Sequence, residues 1–484
     1  MVFKQILKDW GLEALILFLF VFIILPYGPG ITFDSVSFFQ AGDHFWSSGK
    51  YVHFAADGSL EFAAHRFPLY PLLIGAARSV DWSLLVVQII LFAAFLASIR
   101  NLLNDLKSPK YFLLLLATFP VFLNFFAVWT ESLYAVLFVV LLVELRKEEE
   151  FRPAIWLIAI VILLCFTRMV GIVVAGSLLL AYIIDKRPLR GLVLFISGTS
   201  VIITWTLLGT YYLGKTAREV SFNALHLWDL WYVFTDFGSW IAPASFEWLP
   251  FLVGVCLYVL PLWFAFKAWK HRHEVGVLFW FLIIHFYGYV VFVVLCKMFL
   301  DASIAFDVRT FFPLIVNYVG IFIVVQNSAI FGDAFRQKFR YIVPKLSVII
   351  VAVNFMAIWM LRSNGLGYNS KEWNDFAFVS ELESLDTKNI YTNDQAACYL
   401  YTENVSKTAL LPQKMDLYSR EKLDTYQAEM DVLLHEIKAQ NAKIVWIRNG
   451  ITGDVFPSYE ELKELSELEV IYDDWLCLIL QPVK

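Results

Sequence analysis

The chain has 484 residues, 59% of them hydrophobic and only 17% charged, with a formal net charge of −5 at pH 7. A soluble chain carries about a quarter charged residues, so this composition excludes an ordinary soluble enzyme and predicts a polytopic α-helical membrane protein. The charge is split, with residues 362–484 at −9 and residues 1–361 at +4; an acidic tail without a basic cluster excludes nucleic acid as a partner.

In chain order, apolar runs predict about eleven spanning helices, at 11–28, 82–99, 111–128, 131–145, 153–167, 169–184, 190–213, 248–268, 275–296, 310–326 and 341–361. Several lie near the lower length limit for crossing a bilayer. The first run is too long for the core of a signal peptide and lacks a small-residue cleavage site, which predicts a retained anchor. The apolar stretch "PLYPLLIGAARSV" (68–80) is short and carries two prolines, so it reads as a helix lying at the interface or re-entering.

Alternate loops carry 18 Lys and Arg against eight on the opposite set. Positive loops stay in the cytoplasm, which predicts a cytoplasmic N-terminus and, with an odd number of spans, an extracytoplasmic tail. The long loops 29–81, 214–247 and 297–309 then share the outer face of a cytoplasmic (inner) membrane. Beyond residue 361 the composition turns polar, and 362–484 reads as a soluble α/β domain. Its expected elements are an apolar strand ending in "KNIYTND" (388–394), an amphipathic helix over 420–440, a buried strand over 442–449, a helix over 457–469 and one or two closing strands over 469–482.

The five cysteines have no metal-ligand spacing. Cys165, Cys256 and Cys296 lie in apolar runs as small hydrophobes. Cys398 and Cys477, in the tail, are a candidate pair at no diagnostic spacing.

The outer face collects charges that a membrane chain seldom carries without purpose. Asp34 follows the first span, between Phe33 and Val36, and Asp43 lies further along the same stretch. A single loop Asp is more often a solvated residue or a helix cap, and Asp43 has that bland reading. His65 and Arg66 precede the short apolar helix. Glu131 opens the span at 131–145; an N-cap Thr130 followed by an acid in the first turn is its ordinary structural explanation. Arg168 sits in a tight hairpin between two apolar helices, where an unpaired charge is costly and should meet an anion. Lys297, Asp307 and Arg309 end the set. These cations have acidic residues nearby to pair with, or a phosphate to grip, which arginine holds by two parallel hydrogen bonds. Asp34, Glu131 and His65 would make a divalent-metal site if they converge; spacing alone does not bring them together. The aromatic-rich stretch 221–240 reads first as an interfacial belt and second as a lid stacking on sugar faces.

An acid followed by Ser after the first span, then "RFPLYPLLIGA" (66–76), "TESLYAVLFVVLL" (130–142), "FTRMVGIVV" (166–174) and "VRTFFPLIVNYVG" (308–320), in that order, resembles the GT-C glycosyltransferases. The likeness is to the bacterial protein-mannosyltransferase-like and aminoarabinose-transferase-like members, and it covers nearly the whole chain, tail included. The chain departs from the family pattern at Phe67, where a first proline is usual, and at Met169, where proline often follows Thr-Arg.

The resemblance implies transfer of a sugar from a polyprenyl-phosphate carrier in the lipid bilayer to an extracytoplasmic acceptor, a protein, lipid or glycan. A lipid phosphate leaves as a stable anion and needs no general acid. The acceptor hydroxyl needs a base, for which Asp34 is the candidate. The developing phosphate charge needs fixed cations, for which Arg66, Arg168, Lys297 and Arg309 are candidates. Glu131, His65 and Asp43 would support the acceptor or a metal. Rival readings are a secondary transporter or flippase, which would show inverted repeats and polar residues near the midplane, a polysaccharide polymerase or ligase, and a non-catalytic membrane scaffold.

Overall fold

A computed structural model describes residues 2–78, 83–147, 155–214, 222–242, 246, 248–300, 304–385, 387–402, 407–415, 422–448 and 455–483. The N-terminal part is helical. α1 (Val2–Ile24) is followed by α2 (Phe33–Ser48), an antiparallel hairpin of β1 (Val52–Phe54) and β2 (Leu60–Phe62), and α3 (Leu69–Arg78). Then come α4 (Ser83–Asp105), α5 (Phe119–Phe126), α6 (Thr130–Lys147), α7 (Ile155–Thr167), α8 (Gly171–Ile184), α9 (Pro188–Leu213), α10 (Leu227–Gly238), α11 (Trp248–Ala268), α12 (Gly276–Phe299), α13 (Val308–Asn327) and α14 (Asp333–Asn364).

Six helices are long and apolar enough to cross a membrane: α4, α9, α11 with its 3-10 extension to His271, α12, α13 and α14. The apolar segment Trp10–Ile24 of α1, with α7 and α8, is shorter. The chain is thus a helical membrane protein. The expected span 111–128 is not one helix. A 3-10 stretch, Lys110–Leu116, gives way to an extended Thr118 before α5 begins with Pro120 in its first turn. Proline there lacks a donor that the helix would not have used, so a new helix starts where an old one would have broken. The freed Phe119 N–H donates to Asn354 Oδ1 of α14 at 3.0 Å.

α13 sits at the centre. Every residue from Phe311 to Ile323 is buried, as expected of a helix that is apolar all round. The side-chain amide of Asn317 donates there to the Leu282 carbonyl of α12 at 2.9 Å. α10 lies against α11 through two glycines: a Cβ on Gly238 would stand 1.8 Å from the Pro250 carbonyl oxygen, and one on Gly254 would stand 2.0 Å from that of Phe234. Its Phe237 and the following Trp240 are buried against Tyr318 of α13, while Leu227, Trp228 and Tyr232 are exposed. The aromatic stretch is therefore an amphipathic helix packed into the bundle.

Past α14 the chain forms α15 (Lys371–Asp375), α16 (Ala377–Glu383), β3 (Asn389–Thr392), α17 (Gln395–Tyr401), β4 (Lys407–Leu410), α18 (Tyr426–Gln440), β5 (Lys443–Ile447), α19 (Tyr459–Lys463), β6 (Leu468–Asp473) and β7 (Cys477–Pro482). The five strands lie in the order β4-β3-β5-β7-β6, with β3 parallel to β4 and β5 and the β5–β7–β6 pairs antiparallel. β4 is a strand that hydropathy did not announce. Cys398 and Cys477 are separate, buried thiols.

This sheet is docked on the first loop of the helical part. Leu410 N–H donates to the Ala56 carbonyl at 2.6 Å, and Gln395 Nε2 to that of Ala55 at 2.9 Å. Residues 30 and 31, just before α2, are held on both sides: Gly30 pairs with Ala127, and Ile31 with Gly367. A Cβ on Gly367 would stand 1.9 Å from the Ile31 oxygen, so only glycine fits that joint. α2 and α3 cross through a second such contact, where a Cβ on Gly42 would stand 2.3 Å from the Pro71 carbonyl oxygen and one on Gly75 would stand 2.5 Å from Gly42 Cα.

Candidate functional site

Four helix ends and one loop bring five charges together. Asp34 lies in the first turn of α2, whose N-cap is Thr32. Thr32 N–H donates to Ser35 Oγ at 3.0 Å, and Ser35 Oγ donates to the Val128 carbonyl at 3.0 Å. That bond joins the start of α2 to the start of α6, where Glu131 projects from the first turn. Arg66 follows the β-hairpin, Arg168 occupies the turn between α7 and α8, and Arg309 lies in the first turn of α13. Carboxylates in a first turn also suit the helix dipole.

The ion pairs run in a line. Arg66 Nη2 donates to Asp34 Oδ1 at 2.9 Å. Arg309 Nη1 bonds Asp34 Oδ2, and its Nε donates to Glu131 Oε1 at 2.7 Å. Arg168 Nη1 meets the same Oε1 of Glu131. The Thr130 hydroxyl donates to the other oxygen, Oε2, at 3.1 Å. Thr130 is thus turned to the Glu131 carboxylate, and helix-dipole stabilisation alone does not account for an acid that two guanidiniums hold. Three arginines and two carboxylates leave the line with one positive charge in excess.

Aromatic rings set the arginines. Arg309 lies over the Trp129 ring at 4.7 Å from its centroid, and Trp129 Nε1 donates to Thr32 Oγ1 at 2.9 Å. Arg66 lies over Phe38 at 5.1 Å. Guanidinium over an aromatic face is favourable when desolvated. Thr32, Ser35 and Trp129 are support residues that neither charge nor hydropathy singles out; the clues in the sequence are that Ser35 directly follows Asp34 and that Trp129 adjoins Thr130 and Glu131.

The two carboxylates differ in access. The Glu131 side chain is 1% exposed and that of Asp34 is 29% exposed. Enclosure alone would raise the Asp34 carboxyl, but the charges and hydrogen bonds of Arg66 and Arg309 outweigh it and hold Asp34 below the usual carboxylate range.

The remaining candidates lie elsewhere. Lys297 donates to the Ile304 carbonyl at 2.8 Å and stands 3.6 Å from Asp229 of α10, outside the five-charge line. Asp43 accepts from Arg78 Nη1 at 2.6 Å and from the Tyr399 hydroxyl of α17 at 2.9 Å, so it ties α2 to α3 and to the tail domain. His65 meets His53 edge-on, with ring centroids 4.7 Å apart; burial first, then the charge of Arg66, lowers His53 to about 4 and keeps it neutral. Asp307 caps α13, accepting from Thr310 N–H at 2.8 Å.

The donor set does not suit a metal ion. Asp34 and Glu131 share Arg309, His65 faces His53, and among the described residues no three His, Cys, Asp or Glu side chains come together as ligands. What the arrangement offers is a partly open carboxylate beside fixed cations at the ends of apolar helices. No protein-family model matches the chain, and no curated protein matches it significantly.

Proposed function

We propose that the chain is a membrane glycosyltransferase of the GT-C kind, taking a sugar from a polyprenyl-phosphate carrier and giving it to an extracytoplasmic acceptor. In this reading about eleven segments cross the membrane, the N-terminus is cytoplasmic, and the site and tail domain share the outer face. The observation that carries it is the line Arg66–Asp34–Arg309–Glu131–Arg168 at the ends of apolar helices. A phosphate whose lipid tail stays in the bilayer would arrive at this level, and guanidiniums grip phosphate oxygens well.

The reaction balances on these groups. The acceptor oxygen forms a bond to the anomeric carbon as the bond from that carbon to the phosphate oxygen breaks. The bonding pair leaves with the phosphate, whose charge the arginines neutralise. The acceptor proton goes to Asp34, and the single displacement inverts the anomeric centre. Glu131, almost wholly enclosed, holds Arg168 and Arg309 in place.

The test is sugar release from a panel of radiolabelled polyprenyl-phosphate sugars by the wild type and Asp34→Asn side by side. Turnover by the wild type, reduced roughly 10²–10⁴-fold in the variant, is expected of a general base. Equal turnover would move the base to another residue. No turnover from any donor, with acceptors supplied and the protein intact, would refute the reading.

A further inference from the structure

Asp34 in this structure is not ready to take a proton. Both of its oxygens are engaged, Oδ1 by Arg66 and Oδ2 by Arg309. A carboxylate that accepts charge-assisted bonds at both oxygens is a weak base. Glu131 differs, because both of its arginines meet Oε1 and its side chain is enclosed. It is the fixed anchor of the line, and Asp34 is its open end.

Two further features bear on an anionic ligand. Arg66 Nε is buried and has no hydrogen-bond partner, although Nη2 of the same guanidinium is paired. A donor left over on that planar group is what a bidentate anion would use. The line itself holds three cations and two anions, and the more accessible of those anions, Asp34, occupies the two arginines that flank the open end.

We propose that a phosphate ester entering this site displaces Asp34 from Arg66 and Arg309, so that donor binding itself frees the carboxylate that serves as base. The inference rests on the glycosyltransferase reading for its ligand, and on the ion-pair line for its mechanism. No covalent bond changes in the step: two ion pairs to Asp34 are exchanged for ion pairs to phosphate oxygens. Before the exchange the carboxylate is masked, so water arriving without a donor meets no active base. After it, Asp34 stands beside the phosphate that carries the sugar. Glu131 keeps Arg309 and Arg168 in place while Asp34 lets go, which explains why one arginine spans both acids.

The test uses the full chain in lipid nanodiscs and citronellyl phosphate, a short prenyl monophosphate without sugar, as the probe. Asp34 competes with phosphate for the arginines, so Asp34→Asn should bind the probe roughly tenfold tighter or more, since like charges set side by side cost affinity. Tighter binding by the variant supports the exchange. Binding by the wild type with equal or weaker binding by the variant overturns the exchange and leaves the donor reading standing. No binding by either protein overturns both. Inorganic phosphate run alongside tells the lipid ester from the free anion: a clear preference for the prenyl ester supports the assignment, and equal affinity overturns it. Should Asp34→Asn fail to fold, the wild type labelled with ¹³C-aspartate answers by infrared difference spectroscopy. A carboxylate band that shifts when the probe binds supports release of Asp34, and an unchanged band refutes it.

Discussion

The contact between α2 and α3 makes a prediction about aim. Gly42 lies eight residues beyond Asp34 on α2, which is about 12 Å along a helix axis. A Cβ at Gly42 would stand 2.3 Å from the Pro71 oxygen and 2.8 Å from Gly75 Cα, both of them backbone atoms. Ordinary contact needs the two helices to part by about 1 Å. Backbone cannot rotate out of the way as a side chain can, so in Gly42→Ala α2 must shift or tilt as a body. Overpacking of this kind costs about 1–3 kcal/mol, which the large buried core tolerates. On the glycosyltransferase reading Asp34 is the reacting group and is less tolerant, because a misplacement of about 1 Å costs roughly 10²-fold in rate. Gly42→Ala should therefore fold, bind citronellyl phosphate within a few-fold of the wild type, and lose about two orders of magnitude in sugar transfer, chiefly in kcat. Gly176→Ala is the control, since a Cβ at Gly176 of α8 meets nothing within 4 Å. Thermal unfolding in detergent, probe binding and radiolabelled transfer, measured on the three proteins together, decide the matter. Full transfer by Gly42→Ala would refute the argument that this crossing aims Asp34.

Glu131→Gln leaves Arg168 and Arg309 without their enclosed counter-charge and should lose about 3–5 kcal/mol of stability, far more than Asp34→Asn, in thermal or denaturant unfolding. Asp236 of α10 is pushed up to about 7, first by burial and then by the charge of Asp307. Its folded value lies above its unfolded one, so the fold is most stable with the group protonated and loses stability as pH rises through about 7. The Tm should fall between pH 6 and pH 8, and Asp236→Asn should flatten that part of the profile. Tyr399→Phe removes the hydroxyl that α17 gives to Asp43; a loss of about 0.5–1.5 kcal/mol should appear as faster limited proteolysis of the tail domain.

The long apolar helices were legible from hydropathy, and the members of the charged line for a separate physical reason. Charge among apolar residues is expensive enough that each instance stands out, and Asp34, Arg66, Glu131, Arg168 and Arg309 all do. What the sequence could not show is pairing. Arg168 reads as a cation in need of an anion, and the structure gives it Glu131, which comes from 37 positions earlier and has an ordinary local explanation as a first-turn acid. Lys297 has the same signature and turns instead to Asp229 and a carbonyl. Hydropathy is also blind to breaks inside an apolar run: residues 111–128 keep their apolar character across the extended Thr118. β4 is four residues long and carries no alternation that would announce it. The joints that hold the line together, Trp129 to Thr32 and Ser35 to Val128, use neutral groups whose partners lie 97 and 93 positions away.

The joint before α2 has a consequence for how the chain is made. The Pro29 carbonyl accepts from Asn369 Nδ2 at 2.9 Å across 340 residues, and Ile31 accepts from Tyr368 N–H at 2.8 Å. Translation delivers residues 29–34 early and their second support only after the last long helix has been made. Until then the segment that points Asp34 is gripped from one side alone, by Ala127 and Val128. A chain made past Arg309 but not as far as residue 367 would hold all five charges of the line and still lack that clasp. The position of Asp34 is in that sense set only once the chain has been made as far as residue 369, beyond the last long helix.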